Sequence, residues 1–155
     1  MPAQLRSNDG ESALTLGLEE PSSYATDAGF ESSVFIAGQH WDGDHTHPVE
    51  LSIQGLWLRE ADLLELRETI RRWLARPLHE LTPGSLIGDF QLARLPGQTV
   101  LIRFGARSDV DDKRNPIVTV AVAARAFSGE FHFPTDQSCL DAFRRQLDSR
   151  LDGAC

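Results

Sequence analysis

No run in this sequence approaches the ~18 consecutive apolar residues of a membrane-spanning helix, so no transmembrane segment is expected. Cysteine is scarce. Cys139 and Cys155 are the two thiols, with no CxxC spacing between them. They fit a reducing compartment, and the sequence leaves a bridge between them open. Basic residues are outnumbered, fifteen against twenty-three acidic ones, for a formal charge of −8 and a pI near 5.0. That deficit argues against non-specific attraction to nucleic acid or anionic membrane and suits a basic partner instead. The opening residues 1–12 carry neither a basic start with an apolar core nor a small-residue cleavage site, so a cytoplasmic location is expected. Catalytic loops are missing too. There is no GxSxG elbow, the serine of "GSLIG" standing at the wrong place, and no Walker or GxGxxG loop. No cofactor is expected.

At 155 residues the chain is one domain long. A chain of this size buries about 68–70% of its unfolded surface and needs no metal or disulfide staple. Residues 1–12 read as a flexible polar lead to a single α+β domain over 13–155. "SALTLGLEE" alternates Leu14, Leu16 and Leu18 against small or polar residues, the period of a half-buried strand. Residues 21–33 carry turn formers and read as a connection. "VFIAG" and "VELSIQGLWL", which sets Val49, Leu51, Ile53 and Trp57 on one face, form a hairpin joined through 39–47. A helix follows, with Leu63, Leu66, Ile70, Trp73 and Leu74 at helical spacing, Asp62 or Glu60 in its first turn and Pro77 as its stop. "DFQLARL" and "TVLIRFGA" flank a Pro96-Gly97 turn. "PIVTVAVAARAF" opposes Val118, Val120 and Val122 to Ala121 and Ala123, a small-residue face fit for a close-packed helix. Ser128-Gly129 turns the chain into "EFHFP", and Thr135 or Asp136 caps a last helix lined by Leu140, Phe143, Leu147 and Leu151. The expectation is a largely antiparallel sheet of six or seven strands with both helices packed on one face.

Two groups of residues stand out as candidate sites. "HWDGDHTHP", residues 40–48, gathers His40, His45, His47 and Asp44 as donors for a divalent metal, since His45 and His47 share a face of an extended segment. Asp42, Gly43, Asp44 and Pro48 are equally the residues of a turn, and the further ligands a metallohydrolase draws from distant strands are missing. A metal-dependent hydrolase using loop 40–47 is therefore the alternative reading, beside an accessory interaction domain. Acidic loops, Asp42 with Asp44 and Asp109 with Asp111 and Asp112, form a candidate surface for a basic protein. Cys139 in the first turn of a helix, with His132 nearby in sequence, gives the outline of a Cys–His nucleophile, but it borders the Leu140–Phe143 core stripe. Arg71-Arg72 and Arg144-Arg145 read as exposed helix faces rather than nucleic-acid patches.

The order of elements carries a family likeness. A strand ending "LWL", the helix "READLLELRETIRRWL", the segment "GDFQLARLPGQTVLIRFG" and the terminal "FHFPTDQSCLDAF" follow one another across residues 33–151. This resembles the WapI-type bacterial immunity proteins and related small domains. The resemblance implies a non-enzymatic, cytosolic bacterial antidote that binds and neutralises a cognate toxin, often a nuclease, with no direct contact to nucleic acid or membrane. A basic toxin would suit the −8 charge.

Overall fold

The computed structural model describes residues 2–24, 27–77, 80, 82, 84–93, 101–109, 115–124 and 127–152. Eight strands and two helices are arranged as two successive ββββα units. The first holds β1 (Ala3–Arg6), β2 (Ala13–Tyr24), β3 (Asp27–Trp41), β4 (Thr46–Arg59) and α1 (Glu60–Ala75). The second holds β5 (Leu86–Ala93), β6 (Leu101–Arg107), β7 (Ile117–Ala124), β8 (Phe127–Pro134) and α2 (Gln137–Asp152). Each group of four strands is an antiparallel meander, so there are two four-stranded sheets where the sequence predicted one of six or seven strands.

Alternation sets the inner faces. In the first sheet Leu5, Leu14 and Ile36 stand in cross-strand register with Leu51, and Ala3, Leu16 and Val34 with Ile53. In the second, Phe104 and Val120 pair in line with Phe131, and Ala106 and Val118 with Phe133. These rows join Leu63, Leu66, Ile70 and Trp73 of α1 and Leu140, Phe143, Leu147 and Leu151 of α2 in one buried cluster. Both units thus share a core.

The helices guard strand edges. Along β1, whose free N–H groups would otherwise face solvent, Gln146 of α2 accepts from the Gln4 N–H at 2.7 Å. The hydroxyl of Thr135, just ahead of α2, donates to the Arg6 carbonyl at 2.6 Å. Helix α1 packs against β5, where a side chain at Gly88 would meet Thr69 at 3.3 Å. Arg67 of α1 reaches Asp152 at 2.7 Å and Asp148 at 3.4 Å, fastening the helices to each other. The small-residue face of β7 receives no helix among the described residues. It stays open and becomes the floor of the groove described below.

Several local expectations change. Residues 3–6, placed in a polar lead, form β1 because Ala3 and Leu5 alternate into the core. Residues 21–33, read as a connection, are largely strand, and 39–47 contracts to a four-residue link between Trp41 and Thr46, which pair. Ser128-Gly129 lies within β8 rather than in a turn. A bulge explains the largest error of facing. Val34 pairs with Ile53 but Ser32 pairs with Leu56, so β4 carries one residue more than β3 over that interval, and Gly55 absorbs it at φ +72°. Beyond the bulge Leu56 and Leu58 point inward, and Trp57 instead donates its indole N–H to the Ser22 hydroxyl at 3.0 Å. The Pro96-Gly97 turn lies outside the described residues.

Helix ends follow their local chemistry. Asp136 caps α2, its carboxylate accepting from the Cys139 N–H at 2.8 Å and the Ser138 hydroxyl at 2.7 Å. Those two donors, Cys139 first, hold its pKa below the ordinary carboxylate range. At the start of α1, Arg59 donates to Asp62 at 2.8 Å. Burial raises the Asp62 carboxyl above its ordinary value, with Arg59 opposing the shift. Among the described residues no helix is long and apolar enough to cross a membrane.

Candidate functional site

The residues of "HWDGDHTHP" form the tip of a hairpin. Gly43, at φ +105°, makes the reversal, and Asp42 organises it. One Asp42 carboxylate oxygen accepts from the backbone N–H groups of Asp44 and His45, each at 2.8 Å, while the other lies 2.6 Å from His47 Nε2. These contacts, His45 first, then Asp44 and His47, lower the Asp42 pKa below the usual carboxylate range. The His45 and His47 rings stand 6.3 Å apart between centroids, and residues 42–48 are exposed. The side chain of His40 lies outside the described set. Among the described residues no group of three His, Cys, Asp or Glu side chains converges as metal ligands. The hydrogen bonds at the tip are those of a turn, with one histidine engaged by the aspartate that caps it.

Of the acidic surface, Asp42 and Asp44 share this tip, and Asp109 follows β6. Asp111 and Asp112 lie outside the described residues. The Cys–His outline does not assemble. The Cys139 thiol lies 3.9 Å from the Ser7 carbonyl, and burial first, then Asp136, push its pKa up, away from a reactive thiolate. His132 is occupied elsewhere, with Thr119 Oγ1 3.0 Å from its Nδ1 and Glu130 3.2 Å from its Nε2.

That last arrangement aligns a hydroxyl, an imidazole and a carboxylate, the order of groups used to activate a nucleophile. Its setting lacks the rest of a hydrolase. His132 and Glu130 are more than half exposed. Thr119 sits on β7, between β6 and β8, an interior strand whose own N–H groups are spent in the ladders. Sequence reading missed this group because Thr119 and His132 meet only through the β7–β8 register. A hairpin drawn across residues 125 and 126 would have placed them opposite one another.

The more extensive feature is a groove on the outer face of the second sheet. Across β5, β6 and β7, Asp89 stands in register with Gly105 and Thr119, and Gln91 with Arg103 and Ala121. Successive outward positions of β7 are Ile117, Thr119, Ala121 and Ala123, and Gly105 adds no side chain beside them. The consequence is a floor that lies close to the backbone. Two hollows, of about 300 Å³ and 320 Å³, meet there and share Arg103, Ala121 and Glu130. Arg103 and Arg107 stand on one wall, four residues apart on β6, hence about 13 Å along the strand. Arg103 is 3.6 Å from Asp89, a loose exposed pair, and Arg107 has no ion pair among the described residues. Leu86, half exposed, supplies an apolar rim. So the outer face offers two guanidinium groups over a shallow, small-residue bed.

No family model matches this chain, and no curated protein matches it. The architecture is similar to solved plant structures. WHY1 from Arabidopsis thaliana superposes with a TM-score of 0.51 at 11% identity, over 97% of this chain and 82% of that one. WHY3 from the same plant gives 0.49 at 12% identity, over 97% and 86%. The plant transcriptional regulator PBF-2 gives 0.48 at 11%, over 97% and 80%.

These findings overturn the likeness to WapI-type immunity proteins. The features that carried it, a Trp-Leu helix end and an Asp-Gln-Ser helix entry after strand runs, are scaffold positions that the paired ββββα units supply for their own packing. The toxin-neutralising function, the cognate toxin partner and the exclusion of direct nucleic-acid contact rested on that likeness and on net charge. They fall with it. Net charge is a sum over the surface and does not report the local pair of arginines on β6.

Proposed function

We propose that this protein is a binding module rather than an enzyme, and that the outer face of its second sheet receives single-stranded nucleic acid. One observation carries the reading: Arg103 and Arg107 rise from β6 over a bed of Gly105, Thr119 and Ala121, with Ile117 as the larger residue beside Arg107. A flat base can settle against such a bed, while guanidinium groups about 13 Å apart hold phosphates of an extended strand. Single strands suit this geometry better than a duplex, because unstacked bases are free to lie on the sheet. Exposed Asp89 and Glu130 in the same groove, and the −8 charge of the whole chain, set an affinity that is modest and sensitive to salt.

The test is fluorescence anisotropy of a labelled single-stranded oligonucleotide titrated with the full chain at about 50 mM and about 200 mM salt. Two phosphate contacts give a slope of log affinity against log salt near −1.4, from about −0.7 per neutralised phosphate on a single strand. Arg103→Ala and Arg107→Ala should each weaken binding and remove about half of that slope. Absence of binding at the lower salt, or undiminished binding by the double variant, rejects the proposal.

A further inference from the structure

Among the described residues, β8 is the edge strand left with a stretch of open backbone suited to pairing with a copy of itself. Helix α2 covers β1 and helix α1 packs on β5, while β4 carries Pro48 and the Gly55 bulge. Hydrogen bonds at the ends of β8 fix which way its backbone faces. The Thr135 N–H donates to the Pro116 carbonyl at 2.9 Å, continuing the β7–β8 ladder, whereas the Pro134 carbonyl accepts from the Asn8 N–H at 3.0 Å on the other side. Backbone groups alternate along a strand. The N–H and C=O groups of Ser128, Glu130 and His132 therefore point away from β7, toward the free edge. A hollow of about 220 Å³ lies along this stretch, with Glu130, Phe131 and His132 on one side and Ser12, Gly38 and Val49 of the first unit on the other.

The side chains on that stretch choose one register among the antiparallel ones. Placing Glu130 opposite Glu130 of the second copy sets like charges face to face. Placing His132 opposite His132 brings Glu130 against Pro134, which has no N–H and whose carbonyl is already taken by Asn8. Centring the two-fold axis on Phe131 puts Glu130 opposite His132 twice, each pair exchanging both of its backbone hydrogen bonds, and moves the loss at Pro134 out to Ser128 at the two ends of the pairing. The carboxylate and imidazole already sit 3.2 Å apart within one chain. In this register they form an alternating group of four across the axis, with the two Phe131 rings on the inner side. We propose that the protein self-associates through antiparallel β8–β8 pairing centred on Phe131, joining the second sheets of two copies into one continuous eight-stranded sheet. The inference does not rest on nucleic-acid binding, although Glu130 lines the outer groove as well as the edge.

A short edge pairing buries less than the ~1,000 Å² of a permanent interface, so the dimer is a reversible one. Sedimentation velocity on the full chain, without nucleic acid, over about 1 µM to about 1 mM reads it directly. The wild-type chain should shift from monomer to dimer across this range. His132→Pro removes an N–H that faces away from β7, so it spares the β7–β8 ladder and should hold the protein monomeric. Glu130→Lys should weaken association about ten-fold, as two disrupted cross-strand pairs imply. Adding His132→Glu to Glu130→Lys recreates the opposed pair with its charges exchanged and should restore the dimer to within about three-fold. Circular dichroism checks each variant's fold, and should His132→Pro unfold, the two charge variants decide. A wild-type chain that stays monomeric throughout, a dimer that survives in folded His132→Pro, or a charge-exchanged variant no better than Glu130→Lys overturns the inference.

Discussion

Phe143→Ala tests whether the two ββββα units share one core. Phe143 is fully buried at the middle of α2, in the cluster that includes the inner faces of both sheets. Deleting a buried phenyl ring removes its transfer energy and leaves a cavity that rigid neighbours fill only in part, at about 3–5 kcal/mol. For a chain of this length each kcal/mol lowers Tm by about 2–4 °C, so the loss is roughly 6–20 °C. The assay uses an accident of composition. All three tryptophans, Trp41, Trp57 and Trp73, lie in the first unit, whereas Phe143 lies in the second. Urea unfolding followed by tryptophan fluorescence thus reports on one half, and far-UV ellipticity on both. With one shared core, Phe143→Ala shifts both curves to the same lower midpoint with unchanged slope. Phe127→Ala, at a side chain 47% exposed, should stay within about 0.5 kcal/mol of the wild type. A fluorescence midpoint that does not move while ellipticity does, or a loss below about 1 kcal/mol, refutes the reasoning.

Two further outcomes follow from the caps and the thiol. Asp136→Ala should cost about 1 kcal/mol at neutral pH, the usual value of a helix cap. Because hydrogen bonds lower the Asp136 pKa on folding, its contribution is complete above the unfolded carboxylate value of about 3.9 and fades as pH falls through the folded one. The gap between wild type and variant in urea midpoints should therefore close below about pH 4, and a gap that widens there contradicts the cap assignment. Cys139, its thiolate disfavoured by burial and by Asp136, should alkylate with iodoacetamide at about pH 8 more slowly than the same peptide unfolded. Mass spectrometry of the peptide containing Cys139 measures this, and equal or faster labelling of the folded chain counts against the burial argument.

Much of the local structure was legible in the residues. Leu14, Leu16 and Leu18 alternate and face the core, and Leu63, Leu66, Ile70 and Trp73 recur at helical spacing and are buried. Asp136 was one of two expected caps, and its carboxylate makes the capping bond. What failed was anything that depended on a distant partner. The face of Trp57 reversed because one extra residue at Gly55 shifts the β3–β4 register, and a shift of one moves every later side chain to the opposite face. The turn formers of residues 21–33 were absorbed into long paired strands because cross-strand pairing and the core outweigh local preference.

The candidate sites divide in the same way. The histidine tip could be found in one dimension because its residues are neighbours in sequence, and its turn chemistry was readable from Asp42 and Gly43. The outer groove could not, since Asp89, Gly105 and Thr119 come from three strands and meet only through their registers. Ala121 and Ala123 were seen as a small-residue face, but whether a helix or solvent lay over it depended on where α1 and α2 dock. Periodicity is a local property, fixed by side-chain direction along one element, and by itself it determined the strands, helices and most of the core. Which strands share a sheet, which edge a helix covers and which face stays open are settled by contacts between residues far apart in the chain. Those contacts decided the second sheet's open groove and the bare edge of β8.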